Sequence, residues 1–405
     1  MISRRETLMA MAAAPAGLAA GASSAQAQPL GRADFEVSGA YFNAASMHPM
    51  PLRSAAAIRA FTASRTDPTI ELPAPDARGL FARLVNATPA EIAFVPSTTY
   101  AENLVLDTLG LKRAGPPGRI VTDVLHFDGS LYMYQELSRR GLDVVVLPMT
   151  AGGGVDPGRL ETALSGSRSG TQLVAISLVS MVNGFEHDLP IVCEIAHRKG
   201  ALVYVDAVQG AGALPVDVRA SEVDFLAAST FKWLMGDFGF GFLYVRKDLL
   251  PRLQRDEFGF RQFGSFDYHI FATDPPAARP FDVTPDDDTA TGRFEIGTLG
   301  LAAKCAAAAS IETILATGVE ELQRRRQPLI ETIRSQLSKR YQPLTPSASK
   351  SPIIAFGLQD ADAKLGKRLK SAGVTIALYG DRFRVSPSVY NNPSDVERLL
   401  DVLLG

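Results

Sequence analysis

Seven short apolar runs, spaced through the middle of the chain, constrain its fold more than any other feature. They are Ile92 to Val95, Arg119 to Thr122, Val144 to Leu147, Leu173 to Ser177, Ala201 to Val205, Asp224 to Ala228 and Gly241 to Val245. A strand with one wet face alternates apolar and polar residues, whereas a run that stays apolar suits a strand covered on both sides. Helical stretches such as Pro190 to Lys199 lie between the runs and supply crossovers. The pattern predicts an α/β layer fold with a mainly parallel sheet. At 405 residues the chain can bury a large core and form two domains.

The character changes after Asp274 to Asp288, a Pro- and Asp-rich stretch that reads as a loop or lid. A long helical region is expected from about Thr298 to Tyr341, with Arg324-Arg325-Arg326 forming a solvated face. The C-terminus then reads as strand (Pro352 to Gly357), helix (Asp360 to Ser371), strand (Val374 to Leu378), strand (Phe383 to Ser386) and helix (Pro393 to Leu404), a small α+β domain. The expected organisation is a targeting segment over 1–27, a large domain over 28–290 and a small domain over 291–405.

The targeting segment rests on Ser3-Arg4-Arg5, an Ala/Gly run from Leu8 to Ala22, and small residues at Ala25-Gln26-Ala27. The paired arginines resemble a twin-arginine export signal, although Thr7 stands where a large apolar residue is usual. The run is too short and too Ala-rich to span a membrane, and no other run reaches that length. A soluble, periplasmic mature protein is expected. The chain carries 41 basic and 43 acidic side chains with no long basic block, which argues against nucleic acid as a partner. Cys193 and Cys305 both fall in helical stretches, and the five histidines lack ligand spacing, so neither a disulfide framework nor a metal site is expected.

Several strand ends carry residues suited to chemistry. Lys232 sits in Ser229-Thr230-Phe231-Lys232-Trp233-Leu234-Met235-Gly236, an apolar setting that lowers an amine's proton affinity and makes it nucleophilic. Asp206 ends one strand, in Asp206-Ala207-Val208-Gln209, and a carboxylate buried there requires a cationic partner. Pro96-Ser97-Thr98-Thr99-Tyr100 follows a strand and opens a helix, where backbone N–H groups can bind a phosphate. His126 follows another strand. Arg384 lies in Arg384-Val385-Ser386-Pro387, and a planar guanidinium fits a carboxylate bidentately.

In this order these motifs resemble the class V aminotransferases, fold-type I enzymes that use pyridoxal 5'-phosphate (PLP) and whose relatives include cysteine desulfurases and isopenicillin N epimerase-like proteins. The resemblance covers the chain from Tyr41 onward. It implies a seven-stranded mainly parallel sheet sandwiched by helices, with a smaller α+β domain. It further implies that Lys232 forms a Schiff base with the cofactor, that Asp206 pairs with the ring nitrogen, and that Gln209 bonds the phenolic oxygen. By the same resemblance His126 stacks on the ring, Thr98, Thr99 and Ser229 hold the phosphate, and Arg384 binds the substrate carboxylate. Thr298, in Arg293-Phe294-Glu295-Ile296-Gly297-Thr298, matches a residue that reaches the partner subunit's phosphate, which implies a homodimer. Two positions depart from the desulfurases: Met181 stands where they carry a ring-contacting asparagine, with Asn183 two residues on, and Phe231 stands where a histidine often precedes the lysine. Gly373 to Phe383 also lacks the mobile-loop cysteine that persulfide transfer needs. The expected activity is that of an aminotransferase acting on an amino acid or amino-bearing small molecule, with a lyase or epimerase as the alternative.

Overall fold

The protein, described as a computed structural model over residues 29–67, 69–72, 75–113, 118–165 and 172–405, is built on a seven-stranded sheet. The targeting segment expected over 1–27 lies outside the described residues. The strands are β1 (Ile92–Val95), β2 (Arg119–Asp123), β3 (Asp143–Leu147), β4 (Gln172–Ser177), β5 (Leu202–Asp206), β6 (Phe225–Ser229) and β7 (Gly241–Val245). Every apolar run became a strand, with ends displaced by at most one residue. Their spatial order is β1-β7-β6-β5-β4-β2-β3. The five strands from β6 to β3 pair in parallel, and β7 alone runs against its neighbours β6 and β1.

The central strands are covered on both faces, which is why their runs do not alternate, whereas the edge strand β3 is only partly covered. Val203, Val205, Leu226, Ala228 and Phe242 point into one core, and Tyr204, Phe225, Ala227, Leu243 and Val245 into the other. Burying one such large side chain contributes about 1.5–3 kcal/mol. Helices α1 (Thr98–Thr108), α2 (Asp128–Arg139) and α3 (Leu189–Arg198) follow β1, β2 and β4. The carboxyl ends of the parallel strands therefore share one edge of the sheet, the usual ligand crevice of open α/β sheets. Asp123, Ser177, Asp206 and Ser229 are the last residues of β2, β4, β5 and β6, and the register sets Ser177 directly beside Asp206.

Three expectations are corrected beyond the sheet. The Pro/Asp-rich stretch is only partly loop: β9 (Phe281–Pro285) pairs antiparallel with β8 (Phe263–Tyr268). The alternation Phe281-Asp282-Val283-Thr284 supplies a strand period, and Phe281 stacks on Phe266 at 5.2 Å. The single long helix is two, α4 (Leu301–Thr317) and α5 (Val319–Leu337), bent by 77° at Gly318, whose φ of +85° suits glycine. The triple arginine is not uniformly solvated. Arg324 and Arg325 face solvent and bind Glu321, but Arg326 is buried, donates to Ala213 O at 2.8 Å and lies 5.4 Å from the Trp233 ring. Burial without a carboxylate pulls its pKa down to about 10.

The C-terminal layer is a four-stranded antiparallel sheet ordered β10 (Gln342–Pro343), β11 (Ile354–Gly357), β13 (Arg382–Val385) and β12 (Ala377–Leu378). Phe356, Phe383, Ile333, Leu337 and Leu399 form its core. The N-terminal segment ties the two sheets together. Ala40 and Tyr41 pair with Val374 and Thr375, and His48 N then donates to Phe231 O at 3.1 Å. Among the described residues no single helix is long and apolar enough to cross a membrane.

Candidate active site

The lysine turn is held by its apolar neighbours. Trp233, Leu234 and Met235 are fully buried, while Lys232 stays partly exposed. Met235 adopts φ +57°, and the turn closes through Met235 N to Lys232 O and Gly236 N to Thr230 O, both 2.8 Å. A left-handed non-glycine residue is held there by its surroundings. The Trp233 indole donates to Gln209 Oε1 at 2.8 Å. Gly212 packs beneath: a Cβ on it would come within 2.4 Å of Trp233 O, and its φ is +86°. Gly212→Ala is therefore expected to destabilise the fold by about 2–3 kcal/mol in urea denaturation. Gly110→Ala, also left-handed but in open space, should cost only about 1 kcal/mol.

The Lys232 amine has no hydrogen-bond or ion-pair partner among the described residues; its nearest ring is Phe231, at 5.5 Å. Burial lowers its pKa to about 8, with Asp206 opposing the shift and the Arg384 guanidinium adding to it. Phe231 in turn stacks on Phe238 at 4.4 Å, so the position that departs from the desulfurase pattern forms an aromatic wall.

Asp206 is buried to 2% exposure. Its Oδ1 accepts from Val208 N at 2.8 Å, and Oδ2 accepts from no described residue. Burial raises its pKa, against the pull of the Val208 amide, His126 and Lys232. A buried carboxylate with one idle oxygen is a site for a cation.

His126 is buried beside it, and both ring nitrogens are occupied: Nδ1 meets Ser177 Oγ at 2.8 Å and Nε2 meets Glu102 Oε1 at 3.1 Å. Glu102 was not singled out from sequence. It is 1% exposed and also accepts from Ser130 Oγ and the Tyr134 hydroxyl. The signal was a charged residue four places into a helix whose other inward positions, Ala101 and Val105, are apolar.

The α1 N-terminus forms an anion corner. Ser97 caps the helix by accepting from Tyr100 N, and Ser229 Oγ accepts from Thr98 N at 3.1 Å. Thr99 N meets no acceptor among the described residues. Thr98 and Ser229 are buried and in contact, and Thr99 beside them is exposed.

Arg384, on β13, crosses to the same edge. It donates to Met181 O at 2.8 Å and Ser46 Oγ at 2.7 Å, and its buried Nε has no partner. Burial lowers its pKa, and among the described residues no carboxylate pairs with it. Met181 thus contributes its backbone to hold the guanidinium.

Other expected residues are engaged differently. Gln209 Nε2 donates to Ala45 O at 2.9 Å while its oxygen holds Trp233, leaving one N–H free for a ring oxygen. Asn183 does not replace the missing asparagine, because its amide binds Gly153 O and Leu344 O and its oxygen accepts from Phe185 N. Thr298 is exposed and meets no other site residue within the chain; Gly300, not Thr298, precedes α4 as its cap. His48 is buried between Phe35, Trp233 and Tyr390, its pKa lowered to about 4 by burial, so it packs the lysine turn, whereas Met47 faces solvent. Among the described residues no acidic, His or Cys cluster could hold a metal ion.

Comparison with known proteins is consistent with this geometry. Residues 69–399 match the family described as Aminotransferase class-V. A probable cysteine desulfurase of Methanothermobacter thermautotrophicus is 31% identical over 65% of this chain and 61% of its own length. The chain thus spans about three fifths of that relative. An uncharacterized aminotransferase, YcbU of Bacillus subtilis, is 29% identical over 80% of this chain and 81% of its own. In fold, the Escherichia coli cysteine desulfurase CsdA superposes with a TM-score of 0.78 at 22% identity, covering 92% of this chain and 96% of that one. The cystine C–S lyase C-DES, solved with cysteine persulfide, superposes at 0.76 and 20% identity, covering 90% and 97%. The three unmet needs of the site are a cation for Asp206, an anion for the α1 corner and a carbonyl for the Lys232 amine. PLP carries all three groups on one ring, and the residues present fit it. With its family match running from 69 to 399, this chain belongs to the class V aminotransferase family of PLP-dependent enzymes.

Proposed function

We infer that the chain is an aminotransferase-like enzyme acting on an amino acid or amino-bearing small molecule, with Lys232 as the residue that binds the cofactor aldehyde. The observation that carries this reading is the convergence of an unpaired amine, a half-satisfied buried carboxylate and a buried guanidinium without an anion at one sheet edge. When bound, PLP supplies an electron sink for the pair left on the substrate Cα. The chain's residues do the rest. Arg384 holds the substrate carboxylate and so orients its amine toward the lysine turn. Asp206, with one oxygen free of described partners, would hold the ring nitrogen in its protonated form. The Thr98, Thr99 and Ser229 corner grips the phosphate. Lys232 Nζ would be the group placed to take the substrate Cα proton and return it.

The desulfurase name carried by relatives is not adopted. Cys193 is buried, with its thiol pushed up to about 12 by burial, and Cys305 is raised as well by burial. Neither supplies a thiolate, and Gly373 to Phe383 has no cysteine. The lyase and epimerase readings share the same first steps. Incubation with amino donors separates them: conversion of the cofactor to its amine form marks transamination, release of ammonia or a side-chain fragment marks a lyase, and loss of stereochemistry alone marks an epimerase.

Two expected results follow from the site's charges. The rate at which cofactor-free chain captures PLP should rise about tenfold per pH unit below about 8 and level off above it, because only the neutral Lys232 amine attacks. A plateau displaced toward the ordinary lysine range contradicts the buried-amine account. Arg384→Ala should lower kcat/KM for carboxylate substrates by about 30-fold or more, while leaving the cofactor's visible band in place.

The proposal extends to a periplasmic homodimer exported by the twin-arginine route. Exposed Thr298 and the exposed aromatic side chains Phe258, Phe260, Tyr268 and Phe271 support shared sites. Sedimentation of the holoenzyme at twice the chain mass is expected, and a monomer contradicts it. Export should stop in an Arg4→Lys, Arg5→Lys precursor.

A further inference from the structure

Glu102 is a buried charge that the mechanism above does not use. It sits on α1, four residues after Thr98, and three groups converge on its carboxylate: His126 Nε2, Ser130 Oγ and the Tyr134 hydroxyl. All three can donate to an ionised carboxylate, so the geometry accommodates Glu102 in its charged form with every contact satisfied. A desolvated anion needs a countercharge, and among its contacts only His126 can carry one. Every other charged or titratable group facing His126 is anionic or neutral. Asp206 ends β5, Asp123 ends β2 and is itself engaged by His187 at 3.1 Å, and the Tyr134 ring on α2 lies 6.1 Å from the imidazole. Lys232 acts electrostatically on Asp206 and forms no ion pair with a described residue. The remaining nitrogen of His126 is also taken, by Ser177 Oγ at 2.8 Å.

We propose that Glu102 is a positioning residue that holds His126 as an imidazolium with both N–H groups engaged, so that His126 braces the cofactor ring and does not shuttle protons. This rests on the PLP reading only for what the imidazole faces; the protonation state stands without it. Charge then balances in two pairs, Glu102 with His126 and Asp206 with the protonated ring nitrogen. Proton transfer at the substrate falls to Lys232 alone. Burial works against a charged His126, but the Glu102 carboxylate, then Asp206 and Asp123, prevail and raise its pKa.

The test is nitrogen NMR of full-length chain labelled at its five histidines, with PLP bound and after its removal, the His126 signal being assigned with His126→Gln. The expected result at neutral pH is a His126 ring with both nitrogens protonated. Glu102→Gln keeps the hydrogen-bonding shape and removes the charge, and should lower the ring's proton affinity about tenfold or more. Tyr134→Phe removes a donor but no charge and should leave the imidazolium in place, which a merely structural account of the cluster does not require. A wild-type ring with one bare nitrogen at neutral pH overturns the proposal, as does a Glu102→Gln ring that titrates like the wild type. If Glu102→Gln does not fold, the wild-type signal alone decides. Failure of the PLP reading shows separately, as the absence of a Lys232-dependent visible band.

Discussion

Lys232→Ala is expected to abolish the visible band that marks PLP joined to the chain, and to reduce turnover by about 10⁴-fold or more. The same side chain is asked to bind the aldehyde and then to move the Cα proton, so no other group covers its loss. The turn that carries it is held by Trp233, Leu234 and Met235 in the core and by the closing bonds from Met235 N and Gly236 N. None of these involves the amine. The variant should therefore fold with wild-type stability, and its defect should be chemical. Spectra and thermal melts of the purified variant check both halves of this result.

Asp206→Asn is expected to have the next largest effect, a loss on the order of 10³-fold in kcat with the visible band retained. The amide keeps the shape at the end of β5 and can still accept from Val208 N. It cannot hold the ring nitrogen protonated, so the ring loses its pull on the Cα electrons. Because Lys232 and the α1 corner are untouched, cofactor binding should survive. A variant that binds PLP and turns over at the wild-type rate contradicts the pairing of Asp206 with the ring.

Much of this was legible in the sequence, for reasons visible in particular residues. The runs of β5, β6 and β7 stayed apolar because both their faces are covered, and that burial is what a run without alternation encodes. Asp206 and Ser229 could be placed because they stand immediately after such runs, where a parallel sheet gathers its strand ends, and Thr98 because it opens the helix three residues after the run ending at Val95. What was not legible depends on partners distant in the chain. Arg326 looks like the third member of a solvated basic cluster, yet helix phase turns it inward to Ala213 and Trp233, over 90 residues away in sequence. Glu102 reads as an ordinary helix charge until His126, Ser130 and Tyr134 close around it. Gln209 and Asn183 were recognised as polar residues near the site, but sequence does not show that Trp233, Ala45, Gly153 and Leu344 compete for their amides. The hairpin of β8 and β9 was masked by its prolines and aspartates, which flank a short alternating strand.

The most direct test of the account is borohydride reduction of freshly purified full-length holoenzyme, followed by peptide mass spectrometry. The account predicts a pyridoxyl phosphate group on the peptide carrying Lys232 and on no other lysine. An unmodified Lys232, with the group elsewhere or absent, contradicts it.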